Sequence, residues 1–279
     1  MRPINSCIFP VAGYGSRFFP VTKSIPKEML PVLNYPIIHY AVKEAIDSGV
    51  ENLEFITSSF KQSIKDYFEI NHSLVSEFSD HLKREMLEKP QKLITGKQFN
   101  FINQDEMLGL GHAILLAERH IKEDAFSVIL PDDLCRSEKM SVLQQMINIH
   151  KEFIDFCIVA VEEVPKSLIH NYGIVATSNS LDAKLFLVDD MIEKPSIEFA
   201  PSNLAAIGRY ILTSDIFDIL KHVEKDKSGE IQITEALKVK ARQGKLLAYK
   251  FDGERYDCGS VAGYVKANSY FLKDLSLSM

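Results

Sequence analysis

Ile4-Asn5-Ser6-Cys7-Ile8-Phe9-Pro10-Val11-Ala12-Gly13-Tyr14-Gly15-Ser16-Arg17 is the stretch on which the fold turns. The apolar run Ile4–Val11 reads as a buried strand, and a glycine loop follows it at once. In open α/β sheets ligands sit beyond the carboxyl ends of the strands, often at a switch point. Glycines there let backbone N–H groups approach phosphate oxygens with no Cβ in the way. Neither standard phosphate fingerprint is present. Phe18 stands where G-x-G-x-x-G needs its third glycine, and G-x-x-x-x-G-K-[ST] is absent. A tight strand-to-helix turn accounts for the two glycines but not for the arginine behind them.

Outward from this loop, short apolar runs alternate with helical periodicity. Over 36–48, Ile37/Ile38, Ala41/Val42 and Ala45/Ile46 recur every four residues, with Pro36 at the first turn and Gly49 just past the end. Further strands are expected at Asn52–Thr57, Phe99–Asn103, Phe126–Leu130 and Phe156–Val161, and further helices at Phe60–Phe68, Gly111–Ile121 and around Val142–His150. This rhythm predicts an α/β fold, a Rossmann-like, mixed but mostly parallel sheet with helices on both faces. The second half predicts strands at Gly173–Thr177, Lys184–Glu193 and Leu204–Leu212. Helices at Ser214–Leu220, Ile231–Arg242 and Val261 to about Leu272 complete it. Val75–Gln98 is polar and reads as an insertion with helix at its start. A single domain over 1–279 is expected, with no linker or repeat dividing it.

Composition narrows the function. The 279 residues are 46% hydrophobic and 25% charged, an ordinary globular balance. Thirty-two basic against 38 acidic side chains give a net charge of −6, which argues against a general nucleic-acid binder. Cys7, Cys135, Cys157 and Cys258 stand far apart, with no C-x-x-C pair, and read as free thiols of a reducing compartment. No apolar run approaches the roughly 20 residues of a membrane span, and the N-terminal pattern does not read as a signal peptide. A cytoplasmic location is expected.

The loop continues as Pro20-Val21-Thr22-Lys23-Ser24-Ile25-Pro26-Lys27-Glu28-Met29-Leu30-Pro31. Three prolines in twelve residues hold an irregular path. Arg17, Lys23 and Lys27 lie along it. Fixed cations beside a phosphate cradle suit phosphoryl-group chemistry, which relies on positioning and charge neutralisation. No G-x-S-x-G elbow or Cys–His pair points to a covalent nucleophile.

Together, A-G-x-G-[ST]-R and T-K-x-x-P-K-E-M-L-P resemble the opening of the bacterial UTP–glucose-1-phosphate uridylyltransferases, in the sugar-nucleotidyltransferase superfamily. The resemblance continues in order through Leu130-Pro131-Asp132-Asp133, Tyr172-Gly173, Glu193-Lys194-Pro195, Pro201-Ser202-Asn203-Leu204-Ala205, Gly229-Glu230-Ile231-Gln232-Ile233-Thr234 and Tyr256-Asp257-Cys258-Gly259. It covers about Ile4 to Tyr270. It implies that UTP and glucose 1-phosphate give UDP-glucose and pyrophosphate by direct attack on the α-phosphorus. It also implies a nucleotide-binding half over about 4–135, and a sugar-binding and oligomerisation part over about 136–279. A homo-oligomer, dimer or tetramer, is implied, with no nucleic acid or membrane partner.

Residue by residue, the resemblance assigns Arg17, Lys27 and Asp132 to catalysis. Asp132 and Asp257 would bind Mg²⁺, an ion that takes one or two carboxylates plus phosphate oxygens. Ala12, Gly13, Gly15, Glu28, Gln104 and Gly109 would hold the nucleotide, and Asp133, Gly173, Glu193 and Lys194 the sugar phosphate. Asn203 and Ala206 would line the sugar pocket. His112 reads as a helix-start residue, and Glu230–Leu237 as packing beneath the site. Adjacent side chains on an extended chain point oppositely, so Asp132 and Asp133 should not share one ion. An ionised Glu28 only accepts hydrogen bonds. It is therefore expected to receive uracil N3–H, or to orient a backbone carbonyl that does. The readings set aside are a thymidylyltransferase of the same fold, which more often has G-G-x-G-T-R and K-Q-L, a non-catalytic binding protein, and a dehydrogenase.

Overall fold

The computed structural model describes residues 3–277. The chain opens with strand β1 (Ser6–Pro10), followed by the glycine loop and three single 3₁₀ turns at Ser16–Phe18, Val21–Lys23 and Lys27–Met29. A two-residue hairpin, β2 (Pro31–Val32) and β3 (Tyr35–Pro36), leads into helix α1 (Ile37–Asp47). Pro36 caps this helix with an extended backbone, and Gly49 beyond its end takes φ +94°, as the Pro/Gly punctuation predicts. Next come β4 (Asn52–Thr57), α2 (Gln62–Phe68), α3 (His72–Ser76), α4 (His81–Leu93) and β5 (Gln98–Asn103). After these stand α5 (Gly109–Leu116), β6 (Ala125–Ile129), β7 (Asp133–Arg136), α6 (Val142–His150) and β8 (Cys157–Glu163). The second half supplies β9 (Gly173–Ser180), β10 (Leu185–Glu193), β11 (Leu204–Thr213), α7 (Ile216–Leu220) and α8 (Ile233–Arg242). It closes with β12 (Leu246–Lys250), β13 (Glu254–Asp257) and α9 (Val261–Leu277).

Nine strands form one sheet in the order β5-β4-β1-β6-β11-β8-β12-β10-β9. Seven run one way and only β11 and β10 run against them, so the sheet is mixed and mostly co-directional. Burial on both faces explains the unbroken apolar runs. Along β8, Cys157, Val159 and Val161 pack with Ala236 and Leu237 of α8, while Ile158 and Ala160 pack with Val142 and Met146 of α6. From β1 the chain moves outward through β4 to β5, then returns to β6 on the other side of β1. The switch point therefore lies between β1 and β6. The glycine loop and Asp132 leave the sheet on its two sides.

Two expectations shift, and three further features appear. In the 75–98 segment α3 covers only the start, to Ser76, and the longer helix occupies 81–93, where Asp80 caps it by accepting from the Leu82 and Lys83 amides. Helix α5 stops at Leu116, where the chain tightens into a turn, His120 N–H donating to the Ala117 carbonyl. A short 3₁₀ segment at Lys166–Asn171 joins β8 to β9. Strand β12 extends the sheet beside β8, and the small β7–β13 pair lies outside it, with Asp133 opposite Asp257. No helix among the described residues is long and apolar enough to cross a membrane.

Candidate active site

Gly15 makes the first turn of the loop with φ +66°. Its carbonyl accepts from the Thr22 hydroxyl at 2.8 Å, folding the proline-rich segment back on the loop. A Cβ on Gly15 would stand 3.1 Å from Lys27 Cβ, so the loop packs directly on Lys27. Gly13 has open space around it, which leaves its backbone accessible to a ligand. Lys27 Nζ crosses the switch point to Asp132 Oδ2 at 2.5 Å. Burial works against both charges. The Asp132 carboxylate nonetheless holds the Lys27 pKa above its ordinary value, and Lys27 holds the Asp132 pKa below its own. Both stay ionised.

Asp257 arrives from β13. A Cβ on Gly259 would stand 2.8 Å from Asp132 Oδ2 and 3.0 Å from Asp257 Oδ1, so both carboxylates border one small space that only glycine leaves open. Arg17 Nη1 donates to the Gly259 carbonyl at 3.5 Å on the same rim. Burial, then the neighbouring Asp133 charge, raises the Asp257 pKa, so a cation beside it would relieve a real cost. Among the described residues no three metal-ligating side chains cluster. Two converging carboxylates fit a hard divalent ion that takes its remaining ligands from phosphate and water.

Asp133 points elsewhere, though by a turn at Pro131-Asp132 in place of the expected strand alternation. Its Oδ2 accepts from the Gly208 N–H at 3.0 Å and its Oδ1 from Arg255 Nε at 2.5 Å. Arg255 also donates to Glu162 at 2.5 Å and lies over the Tyr172 ring. Asp133 is thus tied down on both oxygens, and its first role is to hold Arg255 and β11. Beside it a cavity of about 290 Å³ is walled by Arg17, Asp132, Asp133, Tyr172, Gly173, Glu193, Lys194, Ala206, Thr234 and Asp257. Glu193 Oε2 accepts from the Thr234 hydroxyl, and Lys194 Nζ lies 3.5 Å from Glu193 Oε1. Asn203 is not among the wall residues. Its carbonyl accepts the Val164 N–H.

Gln104 Nε2 lies 3.4 Å from the Gly109 carbonyl, which joins two of the expected nucleotide residues, and 3.0 Å from Nδ1 of the helix-start residue His112. Ile231 hydrogen-bonds Leu108 and Gly111, but the 230–237 segment does not only pack beneath, because Glu230, Gln232, Ile233 and Thr234 line the cavity. Glu28 is buried, which disfavours direct acceptance of uracil N3–H and leaves the orienting of a backbone carbonyl. It is 1% exposed, its Oε2 accepts from Lys61 Nζ at 2.7 Å, and Oε1 is buried and accepts no side-chain hydrogen bond. Its carboxylate lies under the surface, on Lys61. The sequence reading also missed Arg255, Thr234, Gly208 and Lys61. Thr234 closes the quoted Gly229–Thr234 motif and Arg255 precedes Tyr256-Asp257, whereas Gly208 and Lys61 lie in no quoted motif.

Gly208 can be tested directly. A Cβ there would fall 2.4 Å from Leu130 Cβ and 2.6 Å from Asp133 Oδ2, neither of which can retreat far. Gly208→Ala is expected to cost about 1–3 kcal/mol of stability through overpacking. A denaturant midpoint equal to wild type would contradict this.

The sequence profile of the nucleotidyl transferase family matches residues 8–274. The chain belongs to this family. A UTP–glucose-1-phosphate uridylyltransferase of Pseudomonas aeruginosa is 46% identical over 98% of this chain and 97% of its own. One from Staphylococcus haemolyticus is 39% identical over 98% and 94%. A UDP-glucose pyrophosphorylase solved with UDP-glucose superposes with TM-score 0.88 at 44% identity, covering 97% of this chain and 99% of that one. In this nucleotidyl transferase the Lys27–Asp132 contact and the 290 Å³ cavity share the rim above the switch point.

Proposed function

We propose that the chain is a UTP–glucose-1-phosphate uridylyltransferase, making UDP-glucose and pyrophosphate from UTP and α-D-glucose 1-phosphate. The observation that carries this reading is the Lys27–Asp132 contact beside Asp257, at the rim of a fold matched along nearly its whole length by enzymes of that name. UTP lies along the glycine loop. The Ala12, Gly13 and Gly15 backbone faces its phosphates and ribose, while Gln104 and Gly109 face the base. The alternating donor and acceptor of a Gln amide suit the uracil edge. Glucose 1-phosphate occupies the cavity bounded by Asp133, Gly173, Glu193 and Lys194. Its phosphate oxygen attacks the α-phosphorus in line, and pyrophosphate leaves.

Arg17 and Lys27 neutralise charge that builds on the phosphates during transfer. Asp132 and Asp257 would hold Mg²⁺, which would supply fixed positive charge to neutralise the phosphates. No protein nucleophile takes part. We further assign the protein to the cytoplasm, in keeping with four cysteines that form no disulfide, and to a dimer or tetramer.

Pyrophosphate release with UTP and glucose 1-phosphate tests the reading. UTP is expected to be preferred, with dTTP disfavoured by only about 1–3 kcal/mol, since one methyl or one hydroxyl separates them. Absence of pyrophosphate from UTP with release from dTTP would favour a thymidylyltransferase instead.

A further inference from the structure

Two ammonium groups and two carboxylates meet beneath the rim, and they pair in one of two conceivable ways. Lys27 holds Asp132 at 2.5 Å, and Lys61 holds Glu28 at 2.7 Å. Lys27 and Glu28 are consecutive on one 3₁₀ turn, so the Glu28 carboxylate cannot leave the field of Lys27. Lys61 acts on it most strongly among cations, and Lys27 comes second. Glu28 Oε1 is buried and accepts no side-chain hydrogen bond. A buried carboxylate with an unused acceptor attracts nearby cations, and once Lys61 is gone the remaining cation whose charge acts on Glu28 is Lys27. Lys61 comes from a different wall, the 3₁₀ turn Ser59–Lys61 that follows β4, and its side chain is 5% exposed.

We propose that Lys61 is a positioning residue: by neutralising the buried Glu28 carboxylate, it keeps the Lys27 ammonium on Asp132 and facing the phosphates. The proposal rests on the reading of Lys27 as the cation of phosphoryl transfer. It gives Glu28 and Lys61 a role in selecting a charge pairing, where the alternative is a staple joining two loops.

The two roles separate in a pair of variants. K61M removes the charge and keeps the stem, leaving Glu28 free to draw Lys27 away. Its kcat is expected to fall roughly 10-fold or more, short of the 10²–10³ that outright loss of such a group costs, with KM for glucose 1-phosphate unchanged. E28Q/K61M removes both charges, so nothing competes for Lys27, and kcat is expected to return to within roughly 3-fold of wild type, a large coupling between touching residues. A staple predicts no rescue, because the double variant lacks the ion pair as well. Wild-type kcat in K61M, or a double variant as slow as K61M, overturns the proposal. If K61M does not fold, the double variant decides alone, an active enzyme supporting the proposal and a folded but slow one overturning it. Lys27→Met is measured alongside. Near-wild-type activity there would remove the reading of Lys27 itself, whereas a dead Lys27→Met beside an unaffected K61M would remove only the role given to Lys61.

Discussion

Lys27→Ala lowers kcat by on the order of 10²–10³, or ~3–4 kcal/mol of transition-state stabilisation, the usual cost of removing one preorganised charge from such a site. The placement of the side chain is the reason. Lys27 sits on a proline-held turn, packs under Gly15, and points its ammonium across the switch point to Asp132 at 2.5 Å. Little reorganisation remains for the moment of reaction. The carboxylates around it keep it protonated against the cost of burial, so it is a permanent cation. Some stability is lost too, because Asp132 is left without its partner. A buried charge stripped of its counterion is costly, but here the side chains are 22% and 21% exposed, so water softens the loss. Kinetics well below the melting temperature separate the effects. A Lys27→Ala enzyme with near-wild-type kcat would contradict the assignment, whatever its stability.

Asp132→Asn is expected to abolish measurable turnover at ordinary Mg²⁺ concentration. The substitution keeps shape and removes the charge. Asp132 does two jobs, bordering the space over Gly259 with Asp257 and anchoring Lys27, so one change weakens the metal site and frees the cation together. Raised Mg²⁺ should restore part of the rate, since the affinity share of the loss follows mass action while the misplacement of Lys27 does not. Asp257→Asn should be milder and more fully restored by Mg²⁺, because Asp257 anchors no lysine. Chelation with EDTA should silence the wild type and be reversed by Mg²⁺. The measurement is kcat against Mg²⁺ concentration for the three proteins. An Asp132→Asn enzyme more active than Asp257→Asn would reverse the assigned order.

Much of this architecture was legible in residue order. The run Cys7-Ile8-Phe9 alternates between the two faces of β1, and Ile37 to Ile46 repeats at helical spacing, because both patterns are local consequences of backbone geometry. The glycine loop, the cations that follow it and the aspartates after β6 could be placed on the rim, since a sheet of co-directional strands gathers its carboxyl ends along one edge, whereas Asp257, on a strand outside that sheet, was assigned only through the family resemblance. Asp132 and Asp133 do face apart as expected, but through a turn at Pro131-Asp132, closed by the Asp133 N–H on the Leu130 carbonyl, and not through strand alternation. Less legible were the elements whose stability comes from partners. Helix α4 hides little apolar surface, and β7 and β13 exist through each other.

Residue order thus determined the strand–loop frame, the family and the cast of charged side chains, because local periodicity and motif spacing are written along the chain. Only the tertiary structure decided how those charges pair. Glu28 meets Lys61 across 33 positions of sequence, and Asp133 meets Arg255 across 122. A free carboxylate looks the same in sequence as one already claimed. The difference is burial and the identity of the nearest cation, and both are set by which distant segments the switch point brings together.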